Sequence, residues 1–128
     1  MISETPIPEY LSLDEAYACF RPVAEVTLSE AVEMIDSAIR YCRAGDVPGI
    51  LIDITRLTGF ASPSTTERFF FIKKWVEAAE GKVVISMVAP AAMIDPHKIG
   101  VMIGANRGLV SEVFTDESEA TAWLVKTM

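Results

Sequence analysis

The sequence predicts an α/β domain: a mostly parallel sheet of four to five strands, an antiparallel or edge strand at its N-terminal side, and about four helices. Three observations predict it. Ile50–Ile54 and Lys82–Ala89 are short, nearly continuous apolar runs, the mark of strands covered on both faces. Other segments carry apolar residues at three- and four-residue spacing, opened by capping residues and closed by glycine. The two kinds alternate along the chain, which calls for parallel strands joined by right-handed crossovers.

Composition sets the outer bounds. With 128 residues, 51% of them hydrophobic and spread along the whole length, residues 1–128 form one domain able to bury a core. No apolar run approaches the about 20 residues needed to span a bilayer, and MISETPIPEY lacks a basic start and an apolar signal core. A cytoplasmic location without membrane insertion is therefore expected. A net charge of −7 repels phosphate backbones and anionic lipids, so no nucleic-acid partner is expected. Cys19 and Cys42 form no C-x-x-C pair and have no His/Cys cluster near them, so they read as small buried hydrophobes rather than disulfide or zinc ligands.

Residues 1–9, with Pro6 and Pro8, form an extended lead-in. Tyr10–Leu13 and Ala16–Arg21 read as a hairpin or as a strand with a short extension, and Pro22 places this region at a sheet edge. Thr27 with Glu30 is a capping box opening a helix whose inner stripe is Leu28, Ala31, Val32, Ile35, Ile39 and Cys42. Glu30, Glu33, Asp36, Arg40 and Arg43 fall outside that stripe, and Gly45 ends the helix. Ile50–Ile54 is the central strand.

The next helix, about Pro63 to Glu80, has an apolar arc from Phe69 to Ala79 too wide for one sheet face, so part of it is deeply buried or offered to a partner. Gly81 stops it before the strand Lys82–Ala89. Asp95-Pro96 caps a helix with Ile99, Met102 and Ile103 inward, and its Gly100 and Gly104 allow close packing against the sheet. Val110–Phe114 is the last strand. Asp116 with Glu119 is a capping box for a final helix that turns Ala120, Trp123, Leu124 and Val125 inward.

Parallel strands ending at Ile54, Ala89 and Phe114 deliver their following loops to one rim, the usual ligand side of an open α/β sheet. Ser62 and Ser64 flank Pro63 at a helix N-terminus, where free N–H groups favour an anion or a phosphorylated serine; the plainer reading is an N-cap, with Ser64 and Glu67 as a capping box. Asp53, at the end of the central strand, reads either as a catalytic carboxylate or, more plainly, as one that bonds local donors beside Thr55 and Thr58. Asp95 and His97 are spaced to act as an acid-base pair, or as a cap with a surface histidine beside it. Arg68 and Arg107 are candidates to hold an anion, or else simple partners of surface acids. Phe60, Phe70 and Trp75 can line an apolar pocket. No P-loop, dinucleotide fingerprint or nucleophile elbow is present, and no cofactor is expected.

The segments LIDITRLTGFASPSTTERFFF, VAPAAMIDPHKIGVMIGANRGL and VFTDESEATAWL, together with the chain around them from about residue 16 to 125, resemble bacterial proteins of the STAS fold, the domain of anti-sigma factor antagonists and sulfate-transporter tails. Such proteins are also labelled as similar to Sec14-type lipid-binding domains, which implies an apolar cavity. The resemblance sets Asp53-Ile54-Thr55 on the family's Asp-Leu-Ser strand end and Ser62 on its phosphoserine, with Ala61 in place of the preceding Asp and Pro63-Ser64 in place of Ser-Gly. It implies a non-catalytic regulatory module that binds a protein partner or a small-molecule ligand at the rim. The alternatives are a carrier of an apolar or anionic small molecule and, further off, a small hydrolase or isomerase. The wide apolar arc makes a homodimer a further expectation.

Overall fold

The structure, a computed structural model, describes residues 6–128; residues 1–5 of the expected lead-in lie outside the described residues. The chain runs through β1 (Leu11–Leu13), β2 (Ala18–Phe20), β3 (Ala24–Glu25), α1 (Leu28–Ala44), β4 (Gly49–Asp53), β5 (Leu57–Thr58) and α2 (Thr65–Ala79). It continues through β6 (Val84–Val88), a 3₁₀ turn at Ala91–Met93, α3 (Ile99–Ala105), β7 (Ser111–Phe114) and α4 (Glu117–Thr127). The main sheet has the order β1-β2-β4-β6-β7, antiparallel only between β1 and β2. β4 is central, as its apolar run predicts.

Alternation of side chains across the sheet makes two unequal cores. Ile50 and Ile52 of β4, Ile85 of β6 and Phe20 of β2 join a large cluster with α1 and α2. Leu51, Val88 and Cys19 point the other way, onto Ala120 and Leu124 of α4. Both faces of β4 are thus covered, which is why its sequence shows no polar alternation. On the α4 side the fully buried Ser86 donates its hydroxyl to Ala120 O at 2.8 Å, so the one buried polar side chain of that face among the described residues is satisfied out of water.

The helix starts follow local chemistry. Thr27 Oγ1 accepts from Glu30 N at 3.1 Å while Glu30 Oε1 accepts from Thr27 N at 2.9 Å. Ser64 and Glu67 repeat the arrangement at 3.1 and 2.8 Å. These are reciprocal capping boxes.

At α4 only half of a box forms: Asp116 Oδ2 accepts from Glu119 N at 3.0 Å and from the Ser118 hydroxyl at 2.6 Å. The Ser118 hydroxyl first, and the Glu119 amide second, hold the Asp116 carboxyl below the usual carboxylate range; the Thr27 amide does the same for Glu30. A folded-state value below the unfolded one stabilises fully above the ordinary carboxylate pKa and is lost as pH falls through the folded value. Melting temperature should therefore hold from neutral pH down to about pH 5 and then fall, and Ser118→Ala should lessen the acid-side fall. Thermal melts across that range check this; an unchanged acid limb in the variant would remove the Asp116 contribution.

Several expectations need correction. The N-terminal hairpin does lie at the sheet edge, β1 outermost and antiparallel to β2, but Pro22 beyond it is fully buried. Asp36, placed outside the stripe of α1, is 5% exposed: α2 packs along that side of the helix. Its Oδ2 accepts from Arg40 Nε at 2.9 Å, and its Oδ1 has no hydrogen-bond partner among the described residues. α3 begins at Ile99 rather than directly after Asp95, because Lys98 takes a left-handed φ of +50° that interrupts the first turn.

Gly100 and Gly104 make room not for the sheet but for Ile72 of α2 and, at Gly104, for Leu109. Val125 is exposed on α4, while Ala120 and Leu124 are buried as expected. The two-stranded parallel ladder of β3 and β5 was not expected from sequence; it pairs Ala24 with Leu57 and Glu25 with Thr58.

Both cysteines are buried free thiols, and burial pushes Cys42 up to about 11. The thiolate is the reactive form. Cys42 should therefore resist an aromatic disulfide reagent in the native state and react only at the rate of unfolding; rapid labelling of a Cys19→Ser variant in native buffer would contradict this.

Candidate functional site

The carboxyl ends of β4 and β6 send their loops over the layer of α1, α2 and α3, and beneath them lies an apolar cavity of about 110 Å³. Trp75 and Phe71 of α2, Val32 of α1 and Met87 of β6 form its body. The loop after β4 contributes Ile54, Leu57 and Phe60. Trp75 donates Nε1 to Val32 O at 3.3 Å and lies 4.7 Å, centroid to centroid, from Phe71, so the polar edge of the largest wall residue is satisfied away from the cavity.

Polar groups gather at the loop end. Arg68 donates Nε to Pro63 O at 3.2 Å, and its Nη2 donates to Ser62 Oγ at 3.0 Å and to Met93 O at 3.2 Å. One guanidinium thus ties the loop before α2 to the turn after β6. Lys98 pairs with Glu112 of β7 at 2.9 Å, and both also line the cavity.

The other candidates are distributed around this centre. Ser62 is exposed and held by Arg68, and Ser64 is spent as the N-cap of α2. Asp53 Oδ1 accepts from Thr55 N at 2.9 Å and from Thr55 Oγ1 at 2.7 Å, the local bonding expected of a strand-end carboxylate. Thr58 takes part through its backbone, accepting from Val26 N at 2.7 Å. Asp95 Oδ2 accepts from the backbone N–H groups of His97, at 2.9 Å, and Ile99, at 3.1 Å; it therefore serves the backbone, and the His97 ring is exposed.

Arg107 lies over the Phe69 ring at 5.0 Å. Phe60 and Trp75 line the cavity, but Phe70 is 65% exposed, which corrects its assignment to an apolar pocket. On α2 the residues one turn apart that face the core are Ile72 and Trp75, and Phe70 falls on the opposite side.

A second, polar cleft of about 300 Å³ lies at the ends of β2 and β4 beside the start of α4, where Arg21 pairs with Glu117 at 3.0 Å and Asp53, Thr55 and Arg56 complete the wall. The Glu117 hydrogen bond shifts Arg21 further toward its protonated form. Sequence reasoning missed Arg21, Glu117, Lys98 and Glu112 because their partners stand far away in the chain, and Arg56 because only the fold brings it to this cleft. Among the described residues no group of three His, Cys, Asp or Glu side chains is placed to hold a metal ion. No helix among them is long and apolar enough to cross a membrane.

Fold and site together define an α/β protein with a mostly parallel five-stranded sheet and a small apolar cavity beneath its carboxyl-end rim. No family model matches the chain, and searches of curated proteins and of solved structures return no match either.

Proposed function

We propose that this chain is a non-catalytic regulatory module of STAS type that binds a small ligand in the cavity beneath the strand-end rim. The observation that carries the reading is the apolar cavity itself, placed where α/β sheets take ligands and roofed by the loops after β4 and β6. Its about 110 Å³ is well below the about 300–1,000 Å³ of drug-sized sites, so the occupant is of single-ring size rather than a lipid chain. The carboxylates that would serve acid-base chemistry are engaged in loop bonds: Asp53 with Thr55, and Asp95 with the amides of His97 and Ile99. Ser62, already held by Arg68, is a phosphorylation candidate, since a phosphate there would gain charge-assisted bonds to the guanidinium.

Amide NMR spectra with toluene as the probe test the binding reading. Shifts confined to the Trp75 indole and to residues around Leu57 and Met87 are expected; spectra unchanged at millimolar probe would sink it. Turnover of ester or phosphate substrates that vanished on substitution of Asp95 or His97 would overturn the non-catalytic part. A protein-partner reading is favoured by one observation, the exposed Phe70 with Phe69 packed edge-on at 5.7 Å. If that partner is a second copy of the chain, light scattering should show a dimer that Phe70→Ser abolishes; a strictly monomeric parent protein would remove the idea.

A further inference from the structure

We infer that the occupant of the cavity is a compact monocarboxylate: an apolar body no larger than one ring or a short branched chain, with its acid group at Arg68. The inference rests on the ligand-binding reading above and adds the chemical class.

Size limits the body. A dry cavity of about 150 Å³ accepts benzene. At about 110 Å³ this one holds a body of that order only with slight adjustment of its walls. Those walls, Val32, Ile54, Phe71, Trp75 and Met87, offer no side-chain hydrogen-bonding group to the enclosed part of the ligand, since the Trp75 indole N–H is already bonded to Val32 O.

Charge selects the head. The chain holds 18 acidic against 11 basic residues, yet the ionic lining of this cavity is Arg68 and Lys98 against Glu112 alone. Lys98 and Glu112 satisfy each other, which leaves Arg68. Four cationic side chains of intermediate burial, Arg40, Arg43, Arg68 and Lys74, are found among the described residues. Arg40 pairs with Asp36, Arg43 with Glu80 and Lys74 with Glu33. Arg68 alone faces only neutral oxygens: the Ser62 hydroxyl and the carbonyls of Pro63 and Met93.

These bonds employ Nε and Nη2, and among the described residues Nη1 has no acceptor. A half-buried guanidinium at the mouth of an apolar cavity, oriented by three neutral acceptors and with donors to spare, is a receptor for a carboxylate. The same three bonds fix its position before the ligand arrives, so little ordering entropy is lost on binding.

Calorimetric titration of the wild-type chain with benzoate, isovalerate, benzyl alcohol, toluene and hexadecanoate tests the assignment, together with Arg68→Met, Arg68→Lys and Val32→Phe variants checked for folding by their amide spectra. The two short acids should bind about tenfold more tightly than the neutral probes. Arg68→Met should remove that preference while leaving toluene binding in place, and Arg68→Lys should retain part of it. Val32→Phe should abolish binding of every probe. Equal affinity for acids and neutral probes, or a preference that survives in Arg68→Met, overturns the carboxylate class and leaves the ligand-binding reading standing. Tightest binding by hexadecanoate overturns the size limit. Failure of every probe to bind overturns both readings together.

Discussion

Gly59→Ala is expected to cost about 4 kcal/mol of folding stability and to lower the Tm by about 15 °C. Gly59 sits at φ +107°, a conformation that side-chain-bearing residues rarely adopt. Strain of that kind accounts for only part of the loss. A Cβ at this position would come within 2.8 Å of Val26 N and closer still to its carbonyl oxygen. Those are backbone atoms in the segment that leads from β3 into the Thr27 cap, and Val26 N is already committed to Thr58 O. Nothing there can swing aside, so β5 must part from β3 or the entry to α1 must shift. Gly81→Ala is the control: φ is positive there too, at +70°, but no atom of the described residues lies within 4 Å of the added methyl. It should cost about 1 kcal/mol, the conformational term alone. Urea unfolding of the two variants separates strain from overlap, and equal losses would show that the close approach of Gly59 to Val26 is not a constraint.

Trp75→Ala should destabilise by about 3–5 kcal/mol. The indole is 5% exposed, packs on Phe71 and bridges to α1 through Val32 O. Its removal joins a new void to the existing cavity and takes away the bridge from α2 to Val32 O, a carbonyl that keeps its bond within α1. The expected consequence reaches function: the enlarged space should accept indole, and added indole should recover part of the lost Tm by mass action. Trp75→Phe keeps most of the packing and loses the hydrogen bond, for about 1–2 kcal/mol. If Trp75→Ala melts like the parent protein, the residue is not the wall described here. If it is destabilised but indifferent to indole, the void collapses and the cavity is not a binding space.

The elements that were legible in the sequence share one property, that their causes are local. Thr27 and Glu30, and Ser64 and Glu67, are three residues apart and close their capping boxes without help from the rest of the chain. Gly45 and Glu80 end α1 and α2 within one residue of where the glycine signals place the ends. The continuous apolar run of β4 announced a strand buried on both faces, and it lies at the sheet centre. Even the local fate of Asp53, bonded to Thr55, followed from its neighbours.

Where the reading failed, the deciding contact came from a distant segment. Asp36 has a surface-like position in the helical pattern of α1, and only the docking of α2 buries it. Phe70 belongs to an apolar run but is turned to solvent, because the rotation of α2 is set by Ile72 and Trp75 in the core. The left-handed Lys98 delays α3 in a way that Asp95-Pro96 does not reveal.

The sequence by itself determined the order of the main-sheet strands and of the helices, the capping boxes of α1 and α2 and the two-faced burial of the central strand, since hydrophobic period and capping chemistry act over three or four residues. Only the tertiary structure decided which rim residue carries chemical meaning. Ser62, Ser64, Asp53, Asp95 and His97 were conspicuous in the chain, yet Ser64, Asp53 and Asp95 are consumed by local bonds. Arg68 stood out only as one of two candidate anion holders, and its setting appears when Met93 and Ser62, 25 and 6 positions away, meet at its guanidinium above an apolar cavity. Charge and cavity come together there through the folding of separate segments, and no local pattern in the chain records that meeting.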